Sequence, residues 1–457
     1  MRVIGRGARL DASAGPLRRG YKTYVSQIPH LSLGNFSQGA AFFIGAISLA
    51  LFGCGDAAKS RISGPLLQSG YLWQRDWTAS VADAFVKAQS RFDRIALLGG
   101  EIVWEKGAPR FVRSSVRWDV VANAEKPITL ALRIAPHPGP YASDDARAQF
   151  IATTIKSLLE DAASNGARVA QFQVDFDCAQ KKLAGYRQWL KAIRAAVGTT
   201  PLSITALPSW LREPELNDLL GGVDDYVLQV HSVPMSGQDG RASLCDPHFA
   251  RTAVEQAARL GGPFSVALPT YRCLAGYDPG GRLLAVAMDS VQPAWPRDTR
   301  VLEFSSDARE LARLVADWKR DRPRAMAGIV WYRVPTENDT RNWRWPTLAA
   351  VMEGREPLHR LELLREGDNP VDLVLVNTGE AEERVSSTTV IASWTDGELT
   401  AADAVAGWSL ERSANRVVFT AERDAGLRLL PGERRGIGWL RYDRPAQPEL
   451  VLTSATR

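Results

Sequence analysis

Between residues 68 and 354 the chain alternates short apolar runs of period two with longer runs of period three to four. The clearest period-two run is Phe172-Gln173-Val174-Asp175-Phe176-Asp177, whose aromatic and aliphatic side chains fall on one face and whose polar ones fall on the other. Equivalent patterns predict strands over 70–74, 94–99, 128–134, 169–175, 202–207, 226–231, 264–269 and 327–332. Helical spacing fills the gaps, over 144–163 (Phe150, Ile151, Ile155, Leu158, Leu159), 183–197 (Tyr186, Trp189, Leu190, Ile193), 247–260 and 307–320 (Leu311, Leu314, Val315, Trp318). Residues 101–113 read as a hairpin or irregular excursion before a short helix. Eight strand–helix units make an α/β chain best read as a (β/α)₈ TIM barrel, with its site at the carboxyl ends of the strands. An open doubly wound sheet would want a glycine-rich loop after the first strand, where Trp73-Gln74-Arg75-Asp76-Trp77 stands instead.

Past Arg355 the texture changes to short alternating runs, at 371–376, 388–391, 416–419, 437–442 and 450–452. Turn residues such as Asn377-Thr378-Gly379 and Pro431-Gly432-Glu433 separate them. This predicts a small C-terminal antiparallel β-sandwich. The expected division is a lipoprotein-type signal over 1–54, a linker over 55–67, the barrel over 68–355 and the sandwich over 356–457.

Arg2, Arg6, Arg9, Arg18, Arg19 and Lys22 precede an apolar run, 39–53, that is short for a bilayer span. Leu51-Phe52-Gly53-Cys54 resembles a lipobox, which implies cleavage before Cys54 and lipid attachment to it. Phe52 stands where a small residue is usual. A retained signal anchor is the alternative, and both readings export the remainder. Gly55 after the cysteine, by resemblance to bacterial sorting rules, favours an outer-membrane lipoprotein facing the periplasm or the cell surface.

That reading changes the meaning of charge. The net +5 resides entirely in residues 1–53, and the remainder carries 50 basic and 50 acidic residues, so no nucleic-acid partner is implied. Cys178, Cys245 and Cys273 remain, and Cys245 with Cys273 is the expected disulfide, since both fall on loops at one end of the fold. No paired Cys or His spacing suggests a metal, and no cofactor is expected.

On the face shared with Asp175 the other strands contribute Thr129, Ala131 and Arg133, then Ser203 and Thr205, then Gln229 and His231. A purely structural interior would hold Val, Ile and Leu there. Asp175 and Asp177 stand roughly 6.5–7 Å apart along a strand, close enough for each to oppose ionisation of the other. The plain alternative is a hydrogen-bonded structural aspartate. Trp73, Trp77, Trp104, Trp210, Tyr271, Trp331 and Tyr332 at strand ends would stack on sugar rings or, individually, fill the core.

Trp-Gln-Arg-Asp-Trp (73–77), Gln-Val-Asp-Phe-Asp-Cys (173–178), Ser-Ile-Thr-Ala-Leu-Pro (203–208), Leu-Gln-Val-His (228–231) and Val-Trp-Tyr-Arg (330–333) together resemble the bacterial family called domain of unknown function 3142, over most of 70–350. That resemblance implies no activity. A remoter one is to family-18 chitinase-like glycoside hydrolases, whose fourth strand ends Asp-x-x-Asp-x-Asp-x-Glu. Its second and third acids fall on Asp175 and Asp177, but its first falls on Phe172 and its proton-donating glutamate on Ala179. Trp331 resembles that family's sugar-floor tryptophan, and His231 stands where a tyrosine is usual.

The resemblance implies a glycosidase in which Asp177 is the acid/base or amide-orienting residue and Asp175 its electrostatic partner. Another carboxyl must then protonate the leaving oxygen, with Glu101 first, then Asp76 and Glu337. Trp73, Asp76, Arg133, Gln229, His231, Tyr271, Trp331 and Arg333 are the expected substrate contacts. The partners expected are a polysaccharide or oligosaccharide and a membrane, through the lipid anchor. The alternative function is a barrel without chemistry, a glycan-binding or envelope-assembly lipoprotein, to which Ala179 points.

Overall fold

The computed structural model describes residues 60–234, 243–288, 294–386, 388–422 and 427–453, so the expected signal and Cys54 lie outside the described residues. Among the described residues no helix is long and apolar enough to cross a membrane.

Eight parallel strands close on themselves: β1 (Leu67–Leu72), β2 (Arg94–Glu105), β3 (Ile128–Ile134), β4 (Val169–Phe176), β5 (Leu202–Ala206), β6 (Asp225–Gln229), β7 (Phe264–Pro269) and β8 (Met326–Tyr332). Each pairs with the next, and β8 returns to β1. A helix follows every strand: α1 (Ala79–Gln89), α2 (Trp118–Val121), α3 (Ala146–Ser164), α4 (Leu183–Val197), α5 (Glu215–Leu220), α6 (Pro247–Ala258), α7 (Ala308–Arg320) and α8 (Trp345–Met352). The chain is a (β/α)₈ barrel, as its periodicity indicates.

The helices bury one stripe each. On α4, Leu183, Tyr186, Trp189, Leu190, Ile193 and Val197 recur every three or four residues and are all buried. They pack on the outward side chains of β4, where Phe172, Val174 and Phe176 are fully covered. With the apolar face spent on the helices, the polar face must look inward.

Two excursions leave the barrel. β2 overruns its partners and turns back into an antiparallel strand, Ala108–Arg113. After β7, a three-stranded antiparallel sheet (Cys273–Tyr277, Leu283–Ala287, Arg300–Phe304) intervenes before α7. The alternation pattern left this sheet unread.

Residues 61–67, read from sequence as linker, are built into the barrel. Arg61–Ile62 pairs with Arg322–Pro323, and the buried Arg322 donates to the carbonyls of Gly64 and Pro65. The C-terminal part is two four-stranded antiparallel sheets enclosing a separate core of Leu373, Leu375, Val390, Phe419, Ile437 and Leu440. It is tied to the barrel by Arg355 on Glu380 (2.5 and 2.9 Å) and by Thr347 on the Glu380 carbonyl.

Candidate functional site

Register places the polar face. Parallel pairing sets Glu101 beside Arg133 and Arg133 beside Asp175, so the carboxyl ends of β2, β3 and β4 present an acid, a cation and an acid in one row. Thr205 on β5 donates to Asp175 Oδ1 at 2.7 Å. One layer down, the Tyr71 hydroxyl donates to Gln173 Oε1 at 2.5 Å, and Gln173 Nε2 reaches Ser203 Oγ at 3.5 Å. Deeper still, Gln171 accepts from Arg94 (2.8 Å) and Thr129 (3.1 Å) and donates to Asp225 (2.8 Å). The opposite half of the interior is apolar, filled by Ala96, Val227, Ala267 and Val330.

Asp177 stands one step above Asp175 on the same face, and both are half-buried. Solvent reaches Asp177, yet protein atoms crowd it on most sides. That burial, and then the Asp175 charge, push its carboxyl up to about 6 against the pull of Arg133. For Arg133 burial opposes the charge, but Asp175 and Asp177, with smaller help from Tyr332 and Glu101, outweigh it and raise the guanidinium further. Glu101 carries a second cation, Arg75, at 3.7 Å.

Beside this charged row stands an aromatic wall with Tyr332 at its centre. Trp73 lies 5.5 Å, Tyr71 5.9 Å, His231 5.8 Å and Tyr271 5.5 Å from it, ring to ring. Burial lowers His231 to about 4, so its imidazole is neutral at physiological pH. Two buried groups in this wall, Trp73 Nε1 and His231 Nδ1, have no hydrogen-bond partner among the described residues.

The structure brings Asp175, Asp177, Glu101, Arg133, Trp73, His231 and Tyr271 to this mouth. Gln229 joins them, its amide donating to the His231 carbonyl at 3.4 Å. Other expectations need correction. Trp331 points away from the site: it is fully buried between strand and helices, donates to Gln68 Oε1 at 2.6 Å and packs on Trp343. Its neighbour Tyr332 has the inward parity, which places it among the mouth residues in Trp331's stead. Arg333 is buried in an ion pair with Asp339 at 2.6 Å and donates to the Met288 carbonyl. Asp76 and Glu337 are solvent-exposed loop residues.

Trp77 and Trp210 are core, Trp77 against Phe85 and Trp210 donating to the Cys178 carbonyl, while Trp104 packs on His137 and Trp189. Cys245 and Cys273 form no disulfide. Both thiols are free and buried, Cys245 in the barrel's main core and Cys273 in the small cluster under the inserted sheet. Among the described residues no group of three or more His, Cys, Asp or Glu is gathered to hold a metal. Tyr71 is the mouth residue that the sequence pattern does not single out, and Tyr332 stands among the strand-end aromatics but not among the expected substrate contacts. Tyr71 shares Trp73's parity, which was the available signal.

Fold and mouth together define a (β/α)₈ barrel with an acidic and aromatic mouth at the carboxyl ends of its strands. Residues 126–337, a little under half of the chain, match the family described as "Domain of unknown function (DUF3142)". Residues 362–443 match a second, "Domain of unknown function (DUF8456)". No curated protein matches the sequence. Among solved structures, the spore cortex-lytic enzyme SleL of Bacillus cereus is 13% identical, with a TM-score of 0.45, over 65% of this chain and 75% of that one. Chitinase ChiA74 of Bacillus thuringiensis is 9% identical with a TM-score of 0.39, over 85% and 100%. The endo-beta-1,4-mannanase of Thermotoga petrophila is 9% identical with a TM-score of 0.35, over 83% and 98%. These scores lie below the range in which a likeness bears on chemistry.

Proposed function

We propose that the barrel mouth hydrolyses glycosidic bonds of a polysaccharide, with Asp177 as the general acid. The observation that carries this reading is the half-buried Asp177 carboxyl at the strand ends on the face of Asp175, where burial and then the adjacent carboxylate favour its protonated form. Asp177 gives its proton to the leaving oxygen. Glu101, flanked by Arg75 and Arg133, takes a proton from the water that attacks the anomeric carbon. Glu101 and Asp175 sit two strand spacings apart, roughly 9–10 Å between Cα atoms, and Asp177 lies two residues beyond Asp175 towards the mouth. Arg133 and Thr205 hold Asp175 in place, and Trp73 and Tyr332 supply ring faces.

The test is release of reducing ends from cellulose, xylan, mannan, chitin and peptidoglycan by the wild-type chain and by Asp177→Asn. A loss of about 10²-fold or more in the variant is expected, with kcat falling as pH rises through 6. Turnover of none of these glycans, or equal turnover by both proteins, sinks the reading in favour of a binding-only barrel. That second reading draws on Ala179, which is exposed where a donor glutamate stands in the family-18 motif.

We further propose that the chain is exported and anchored through lipid on Cys54. The support is the arginine-rich, apolar, cysteine-terminated leader. Mass spectrometry of the membrane fraction tests this: an unmodified Cys54 would refute it.

A further inference from the structure

A groove of about 1110 Å³ opens between the barrel and the C-terminal sandwich, larger than most small-molecule sites. Its barrel wall comes from the segment after β7 and the start of α7, and its other wall from residues around 382–384 and 428–431. Tyr271 belongs to both places. It lines the groove, and its ring meets His231 (5.9 Å) and Tyr332 (5.5 Å) in the mouth.

The floor is a charge network crossing between the two parts of the chain. Arg272 holds Glu382 and lies 4.0 Å from Glu303, while Arg428 holds Glu303 at 2.6 Å and Glu382 at 3.5 Å. Two cations thus satisfy two anions, and the whole lining balances five arginines against four carboxylates, leaving little field to select a charged polymer. Over this floor stands the half-buried Trp343, with a flat face for a sugar ring, and beside it the buried Tyr271 lines the wall. Ser306, only 6% exposed, lines the same wall, and its hydroxyl has no hydrogen-bond partner among the described residues.

We propose that this groove carries a neutral polysaccharide chain onward from the mouth, so that the protein acts within long chains and its C-terminal sandwich is half of the binding surface. The inference rests on the glycan-cleaving reading of the mouth and adds chain length and charge to it.

The experiment compares initial rates on xylan, galactomannan and hydroxyethyl cellulose with rates on trisaccharides of the same sugars. Polygalacturonate is the anionic comparison. Full-length wild type, Trp343→Ala, Trp343→Phe and Arg384→Ala are used. The polymer-to-trisaccharide ratio of kcat/KM is expected to fall at least tenfold in Trp343→Ala, through KM. It should recover in Trp343→Phe and fall about threefold in Arg384→Ala. Equal ratios in all four proteins, or preference for polygalacturonate, overturn the groove while leaving the mouth intact. Wild-type turnover of no glycan overturns both.

Discussion

Replacing Asp175 by asparagine removes one charge beside Asp177 and little else. The amide is isosteric, and its oxygen still accepts the Thr205 hydroxyl that now sits 2.7 Å from Oδ1. Two unit charges about 7 Å apart at an effective dielectric of about 20 interact by roughly 2 kcal/mol, which is about 1.5–2 pKa units. The Asp177 midpoint should therefore fall by about that much. It should stop above the ordinary aspartate value, because burial, the larger cause of its elevation, is untouched. Arg133, relieved of Asp175, reinforces the drop. Carbon-detected NMR titration of the Asp177 carboxyl reads the shift without any substrate. The upper limb of the kcat profile should move down with it. A midpoint unmoved, or raised, would show that the two carboxyls do not share a site and would remove the basis for Asp177 as the acid.

Further outcomes follow from the same contacts. A folded pKa raised from about 3.9 makes the Asp177 contribution to stability full below pH 4 and progressively lost as pH rises through 6. Asp177→Asn should thus match the wild type near pH 4 and exceed it by up to about 3 kcal/mol at pH 7.5 in urea unfolding. Asp339→Ala strands the buried Arg333 guanidinium and should cost about 3–5 kcal/mol, read as a lowered Tm; an unchanged Tm would mean the pair is solvated. Gly70→Ala places a Cβ 2.6 Å from Phe92 and 2.7 Å from Val334, so about 1–3 kcal/mol of overpacking is expected. Dithiothreitol should leave the Tm unchanged, and maleimide should label Cys245 and Cys273 only on unfolding; a reductant-sensitive Tm would contradict the free thiols.

The site was partly legible beforehand because strand parity is local. Along β4 from Ala170 on, one face is wholly apolar and the other wholly polar, so Asp175 and Asp177 had to face away from the helices, and the same logic carried Arg133, Thr205 and His231 inward. At the end of β8 it failed. Val330-Trp331-Tyr332 is apolar or aromatic on both faces, and only packing against Gln68 and Trp343 on one side and Tyr71 on the other decides which ring enters the mouth. The Cys245–Cys273 pairing failed for a related reason: two loops at the same end of a barrel share a level, not a core.

Periodicity in the chain alone determined the eight-fold strand–helix repeat, the polar interior of β3 to β5 and the change to β texture near residue 355, since each depends on neighbours a few residues apart. Tertiary structure decided the row Glu101–Arg133–Asp175, the aromatic wall around Tyr332 and the groove shared with the C-terminal sandwich. Those depend on register and on charges more than a hundred residues apart, such as Arg272 and Glu382. No local pattern encodes such a distance, because only the closing of the ring and the docking of the second core bring those atoms together.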